Sequence, residues 1–334
     1  MSKYHVYGVG NGLLDMEFSV SNELLEELKI DKGVMTLVDE KQEQEILEKL
    51  SHLPCKKSSG GSAANTLVAV SQFGGRGFYS CKVANDHIGH FFLEDLKASG
   101  LETNLHPDSL EKGTTGKCLV LVTPDADRTM NTFLGITGEL APKDLVPEAI
   151  LESDYLYIEG YLVSAPSAYQ TALKAKEIAK SSGNVKVAFS LSDPNMVEFF
   201  RPNIAQVIEP GLDLIFANET EALKLAQTTN LSDAITYLKG ISKSFALTLG
   251  ARGSLVYHNE ELVEIAPVPV KAVDTVGAGD MYAGAFLYGL TQGLTAVQAG
   301  NLASIASSRI VTHFGPRLKT EDVQAILDTF EKKK

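Results

Sequence analysis

The sequence predicts an α/β fold: a doubly wound, mostly parallel central sheet flanked by helices, with a small β-sheet lid. Three observations predict it. From Asp154 onward, short β-prone runs near 154–159, 185–190, 212–217 and 243–249 alternate with helical patterns, as parallel βαβ units do. Between Leu105 and Leu134 the pattern turns antiparallel, with Gly116–Thr123 and Arg128–Leu134 flanking the turn Pro124-Asp125-Ala126-Asp127. Glycines lead into apolar-periodic segments at Gly60-Gly61 and again at Gly277-Ala278-Gly279, as helix N-termini that meet a ligand are built.

The chain has 334 residues, which allows two average domains, but α/β folds often run this long as one. A single domain over 1–334 is therefore expected, with a lid inserted from about 12–20, 33–39 and 104–135. Hydrophobic residues make up 44%, enough for a large core. The net charge of −12 and a pI near 5.1, without a long Lys/Arg run, argue against nucleic acid and anionic membrane as partners. No run approaches about 18 apolar residues, and Met-Ser-Lys-Tyr-His-Val lacks a signal-peptide core, so a cytoplasmic location is expected. Cys55, Cys81 and Cys118 form no CxxC pair and read as free thiols. His87 and His90 have no third ligand nearby for zinc.

In chain order, Tyr4–Val9 reads as a strand ending in Gly8-Val9-Gly10-Asn11-Gly12. A dinucleotide fingerprint fails there, because Leu13 stands where a third glycine must admit close helix packing. What remains is a polar cluster at a strand end, Asn11 and Asp15. Ser21–Leu28 reads as a capped helix, Gly33–Val38 as a strand, and Glu40–Leu50 as an amphipathic helix. Gly60-Gly61-Ser62-Ala63-Ala64-Asn65 opens another helix, and Asn65 can donate and accept at once, which suits a hydroxylated ligand. A strand over Gly77–Ala84 and a helix over His87–Ala98 precede the antiparallel stretch.

The strand ending at Ala217 runs into Asn218-Glu219-Thr220-Glu221. That spacing is a capping box, and the same two side chains suit a hydrated Mg²⁺, which asks for one or two protein carboxylates. Thr248-Leu249-Gly250-Ala251-Arg252-Gly253 places two glycines at a strand end, where a nucleotide could come close to the backbone or the chain simply turns. Asn259-Glu260 marks a hairpin, and helices are expected over Ala283–Leu290, 296–312 and 321–332, closed by the tail Lys332-Lys333-Lys334. Asp274-Thr275-Val276-Gly277-Ala278-Gly279-Asp280 joins two glycines and two acids at a helix start. Unpaired amides and the helix dipole favour phosphate there, and the same terminus favours Asp280 as a carboxylate. A carboxylate beside a phosphate cradle points to phosphoryl transfer, while first-turn dipole complementation is the simpler alternative. No GxxxxGK[ST] loop and no DFG-type kinase set occurs.

Gly60-Gly61 with Asn65, Asn218 with Glu221, and Asp274–Asp280, in this order and spacing, resemble the ribokinase-like, PfkB-type family of sugar and nucleoside kinases across nearly the whole chain. The resemblance implies an ATP- and Mg²⁺-dependent transfer of the γ-phosphoryl to a primary hydroxyl. It implies Asp280 as base and Gly277, Ala278 and Gly279 as anion hole. Asn218, Thr248, Gly250, Gly253, Asp274 and Thr275 would lie along ATP; Asn11, Asp15, Gly60, Gly61 and Asn65 would hold sugar hydroxyls. Asn218 and Glu221 would hold Mg²⁺ through water, and a monovalent cation such as K⁺ is admitted. Gly10-Asn11-Gly12-Leu13-Leu14-Asp15 is similar to the adenosine kinase branch, with Gly12 departing from its usual proline, and Tyr161 matches that branch's base-stacking aromatic. A nucleoside 5′-hydroxyl, adenosine giving AMP, is the expected acceptor, with Met16, Leu37 and Leu134 walling the purine. Ser62-Ala63-Ala64 is closer to sugar kinases, so ribose, fructose or a related sugar is the alternative acceptor. A non-catalytic nucleoside-binding relative ranks last, because Asp280 and the glycine loop are intact. A monomer or homodimer is expected.

Overall fold

The computed structural model describes residues 2–125 and 127–332. Position 126 of the expected turn and the Lys333-Lys334 end of the tail lie outside them. Fourteen strands form among the described residues. In chain order they are β1 Tyr4–Val9, β2 Leu13–Ser19, β3 Met35–Leu37, β4 Cys55–Gly60, β5 Gly77–Ser80, β6 Glu102–Thr103 and β7 Thr115–Val122. They continue with β8 Arg128–Gly135, β9 Ser153–Glu159, β10 Lys186–Ser190, β11 Leu214–Asn218, β12 Phe245–Thr248, β13 Ser254–His258 and β14 Glu261–Ile265.

Nine strands build the main sheet in the order β14-β13-β12-β11-β10-β9-β1-β5-β6. All neighbours from β6 to β12 run parallel, and β13 and β14 close the edge as an antiparallel hairpin turned by Asn259 and Glu260, both at positive φ. Strand alternation feeds two cores. Tyr155 and Tyr157 of β9 face one layer of helices, and Leu156 and Ile158 face the other. The first layer holds Ser62–Gln72, His87–Ala98, Ala278–Thr291 and Ala296–Ile310; the second holds Pro166–Ser182, Arg201–Ile208, Glu219–Ala226 and Leu231–Ile241. Each fully buried large apolar side chain in these layers contributes about 1.5–3 kcal/mol before entropy is set against it. The chain is thus doubly wound, as its alternation predicts.

A second sheet of five strands runs β3-β8-β7-β2-β4. The hairpin of β7 and β8 is antiparallel as expected, but β2 adds parallel to β7 and β3 parallel to β8. In the expected 104–135 stretch, strands occupy only β7 and β8, and a short 3₁₀ turn at Pro107–Ser109 precedes them. The sequence reading missed β4 entirely. Its run Cys-Lys-Lys-Ser-Ser-Gly has little β-propensity and becomes a strand by pairing with Leu13–Phe18 of β2, at an edge where lysines are at home. The helix after the Asp274–Asp280 motif starts at Ala278, five residues before the apolar periodicity begins. Among the described residues no helix is long and apolar enough to cross a membrane.

Candidate active site

The main sheet reverses its winding at β1, whose neighbours β5 and β9 are reached by crossovers in opposite directions. In an open α/β sheet the crevice beyond the carboxyl ends at such a point is the ligand position. A cleft of about 550 Å³ lies there. Strand ends supply Asn11, Glu159, Ser190, Asn218 and Thr248; the second sheet supplies Leu13, Asp15, Met35, Met130 and Leu134. Gly61, Asn65, Tyr161, Glu221, Thr275, Gly277, Gly279 and Asp280 complete the lining from the sequence-predicted set.

Gly277 is the N-cap of Ala278–Thr291 at φ +71°, a conformation open to glycine, and a Cβ there would stand 2.7 Å from Pro316. The cap therefore presses against the neighbouring segment. Of the expected anion-hole residues, Ala278 turns its amide to the Thr275 carbonyl at 3.3 Å. The amides that the helix itself leaves unpaired at its mouth are those of Gly279 and Asp280. A Cβ on Gly279 would meet nothing within 4 Å, so the space in front of it is open.

Asp280 sits in the first turn with both oxygens held. Ser62 Oγ donates to Oδ1 at 2.6 Å and Asn65 Nδ2 to Oδ2 at 3.2 Å. The sequence reading took the helix terminus as what keeps Asp280 ionised, and the structure adds the burial that works against it. Burial outweighs the hydrogen bonds from Ser62 and Asn65 and the field of Arg317, and pushes the carboxyl up to about 6. Such a group is ionised at neutral pH and a better proton acceptor than a free aspartate.

Around it the acids are packed closely. Asp15 lies against the backbone of Gly60, where a Cβ would come within 2.2 Å of the carboxylate. Burial pushes Asp15 up to about 7, against the pull of Arg317. Glu159 is 1% exposed and accepts from the Ala63 amide at 2.7 Å and from Asn11 Nδ2 at 3.1 Å; burial pushes it up to about 8. Gly61, at φ +96°, touches the Asn11 carbonyl, and any side chain there would collide with it. Tyr161 stands on a 3₁₀ turn after β9 and donates its hydroxyl to the Ser192 carbonyl at 3.4 Å.

Several predicted residues do other work or stand elsewhere. Asn218 and Glu221 form the reciprocal capping box: the Glu221 amide donates to Asn218 Oδ1 at 2.9 Å, and the Asn218 amide to Glu221 Oε2 at 2.8 Å. Gly250, Gly253, Gly60 and Asp274 do not line the cleft. Gly250–Arg252 is a 3₁₀ turn, and Gly253 fits under the Ile265 carbonyl at φ +91°. Asp274 is buried, accepts from the amides of Val276 at 2.7 Å and Gly315 at 2.8 Å, and pairs with Arg128 of β8. It therefore braces the loop before Gly277 from behind. Met16 also faces away, into the cluster around Phe18, Leu119 and Leu121, because alternation on β2 sends Leu13 and Asp15 to the cleft. Leu37 and Leu134 do line it.

The pfkB family carbohydrate kinase model matches residues 30–323. The chain belongs to the pfkB family. It is 30% identical to an adenosine kinase from Schizophyllum commune, over 98% of this chain and 100% of that one. The solved adenosine kinase from Sinorhizobium meliloti superposes with a TM-score of 0.92 at 34% identity, covering 98% and 100% of the two chains. A probable sugar kinase from Rhizobium etli CFN 42 gives 0.93 at 31%, covering 98% and 99%. As a pfkB kinase the protein is a phosphotransferase that acts on a hydroxyl group with ATP as co-substrate. Sequence reasoning missed four side chains that the site of this pfkB member gathers: Ser62, Glu159, Arg128 and Arg317. Ser62 and Glu159 stand inside stretches that carry a signal, whereas the two arginines are recognisable only through partners distant in sequence.

Proposed function

We propose that the protein transfers the γ-phosphoryl of ATP to the 5′-hydroxyl of a nucleoside, adenosine giving AMP, in the presence of Mg²⁺. The carrying observation is the apolar wall that the second sheet turns toward the cleft, Leu13, Met35, Leu37, Met130 and Leu134, with Tyr161 also on the lining. A purine covers such a wall and a free pentose does not. Whole-length similarity to adenosine kinases supports the same acceptor.

In this reading Asn11, Asp15, Gly61 and Asn65 hold the ribose hydroxyls, and the 5′-hydroxyl lies against Asp280. Its proton passes to the Asp280 carboxylate as its oxygen bonds to the γ-phosphorus and the bridge to the β-phosphate breaks. The Gly279 and Asp280 amides and the helix dipole meet the charge on the phosphoryl oxygens. The second sheet acts as the lid that excludes water.

The rest of ATP follows the helix Ala296–Ile310. Ser307 Oγ donates to the Ala278 carbonyl at 3.1 Å, and Ser304 Oγ, one turn earlier, to the Ala266 carbonyl at 3.1 Å. A second cavity of about 410 Å³, lined by Ala266, Pro267, Val268, Asn301 and Ile305, lies on that turn and suits the base. It begins roughly 5 Å along the helix from the phosphate loop. Asn218 and Glu221 would hold Mg²⁺ through water: both face the cleft, and one amide with one carboxylate is a fitting donor set for an ion that keeps its hydration. When bound, the ion neutralises β- and γ-phosphate charge.

A free sugar is the second reading, favoured by the buried Glu159 at the polar end and by the probable sugar kinase match. Titration calorimetry with adenosine and with ribose tests the choice. Adenosine should bind the more tightly, and Tyr161→Ala should weaken it about tenfold, as loss of one aromatic contact does. Tighter binding of ribose, or no effect of Tyr161→Ala on adenosine, overturns the proposal.

A further inference from the structure

We propose that Arg317 is a positioning residue for the phosphoryl transfer: it locks the Asn65 amide so that its N–H faces Asp280, and it is the cation shared by Asp15 and Asp280. The inference rests on the reading of Asp280 as base.

Arg317 does not line the cleft; it reaches Asn65 from the segment that follows Ala296–Ile310. Its Nε donates to Asn65 Oδ1 at 2.9 Å. A guanidinium only donates, so the amide oxygen must face Arg317 and Nδ2 is left to meet Asp280 Oδ2. The other side of the fork is anchored. Nη1 donates to Asp95 Oδ2 at 2.5 Å and to Ser59 Oγ at 3.2 Å, which ties it to the helix His87–Ala98 and to β4 of the second sheet. With its side chain 15% exposed, the charge is poorly screened by water.

The segment carrying Arg317 also holds the phosphate loop. The Gly315 amide donates to Asp274 Oδ2 at 2.8 Å, Pro316 packs on Gly277, and Gln72 Nε2 donates to the Leu318 carbonyl at 2.6 Å. Four consecutive residues thus set the register between the anion hole and the amide that aims the base. The groups that face Asp280 are Asp15 from β2, Tyr157 and Glu159 from β9, Tyr161 from the turn beyond it, Ser62 and Asn65 from their helix, and Arg317. Arg128 pairs with Asp274 and Glu17 and also bears on Asp15, whereas among the described residues Arg317 is the cation whose field acts on Asp280. At Asp15 the same guanidinium is the largest influence opposing burial.

Arg317→Met and Arg317→Lys test this, with ADP release from ATP measured against pH using adenosine or ribose, whichever the wild type turns over faster. Thermal midpoints are taken alongside. Arg317→Met should lower kcat about 10- to 100-fold, as misplacement of a reacting group does, and should move the acid limb of kcat/KM upward by about one pH unit. Arg317→Lys keeps the charge but cannot span Asn65 and Asp95 in one plane, so the limb should stay and kcat should still fall. Wild-type kcat in either folded variant, or an unmoved limb in Arg317→Met, overturns the proposal; if Arg317→Met fails to fold, Arg317→Lys decides alone. Asp280→Asn separates the two readings. Wild-type turnover in Asp280→Asn removes the base itself, whereas a dead Asp280→Asn beside a wild-type-like Arg317→Met removes only the positioning role.

Discussion

Replacing Asp280 with asparagine removes the proposed proton acceptor and leaves the packing in place. An asparagine amide can still accept from Asn65 Nδ2 and donate to Ser62 Oγ, the two partners that hold the carboxylate at 3.2 and 2.6 Å. With the carboxyl pushed up to about 6, about 97% of it is ionised at pH 7.5 and about 9% at pH 5. Wild-type kcat/KM should therefore fall by half near pH 6. Asp280→Asn should lower kcat about 10²- to 10⁴-fold at pH 7.5, or about 2.7–5.5 kcal/mol of barrier, and its residual rate should show no limb near pH 6. Stability should move the other way. A folded pKa raised from 3.8 means that stability present below pH 3.8 is lost as pH rises through about 6. At pH 7 that loss is on the order of 3 kcal/mol, and the asparagine escapes it. The assay is coupled ADP release from pH 5 to 8, with urea unfolding at pH 7. A variant within tenfold of wild-type kcat that keeps the limb near pH 6 would refute the assignment of Asp280 as base.

Three further outcomes follow from the same geometry. Gly279→Ala meets open space, so its thermal midpoint should match wild type while KM for ATP rises about tenfold or more; Gly277→Ala, forced into positive φ against Pro316, should lose about 1–3 kcal/mol of stability as well. Glu159, raised from 4.5 to about 8, makes the wild type lose stability on the order of 4 kcal/mol as pH climbs through that window; Glu159→Gln should make the fall of the urea midpoint between pH 5 and 8.5 shallower by about that amount, with Asp15 and Asp280 still contributing theirs. Arg128→Met leaves the buried Asp274 carboxylate without its cation and should cost about 3–5 kcal/mol, read as a lowered denaturant midpoint.

Much of this fold is written locally. The helix Glu40–Leu50 begins and ends where its apolar spacing and the Asp39 capping box say, and the main sheet follows from strands spaced by helices. The helix start at Gly277–Asp280 was equally legible, because positive φ at Gly277 and a first-turn acid are local demands. What stayed hidden depends on chain segments far apart. The strand β4 is polar and exists through its pairing with β2, more than thirty residues earlier in the chain. Arg317 sits in Gly315-Pro316-Arg317-Leu318, which reads as an ordinary loop, and its partner Asn65 is 252 residues away. Asp274 carried a true signal with an ambiguous meaning, since an acid before a glycine loop can touch a ligand or, as here, pin the loop from beneath. The acidity of Asp280 was hidden for a related reason: a helix terminus is visible in sequence, and the burial that outweighs it is not.

The central claim, a kinase whose cleft is shaped for a nucleoside, is tested most directly by comparing kcat/KM for adenosine, ribose and fructose with ATP and Mg²⁺, with the phosphorylated product identified. The proposal predicts that adenosine is turned over with the highest kcat/KM and that the product is AMP. Efficient phosphorylation of ribose or fructose with no turnover of adenosine would contradict it.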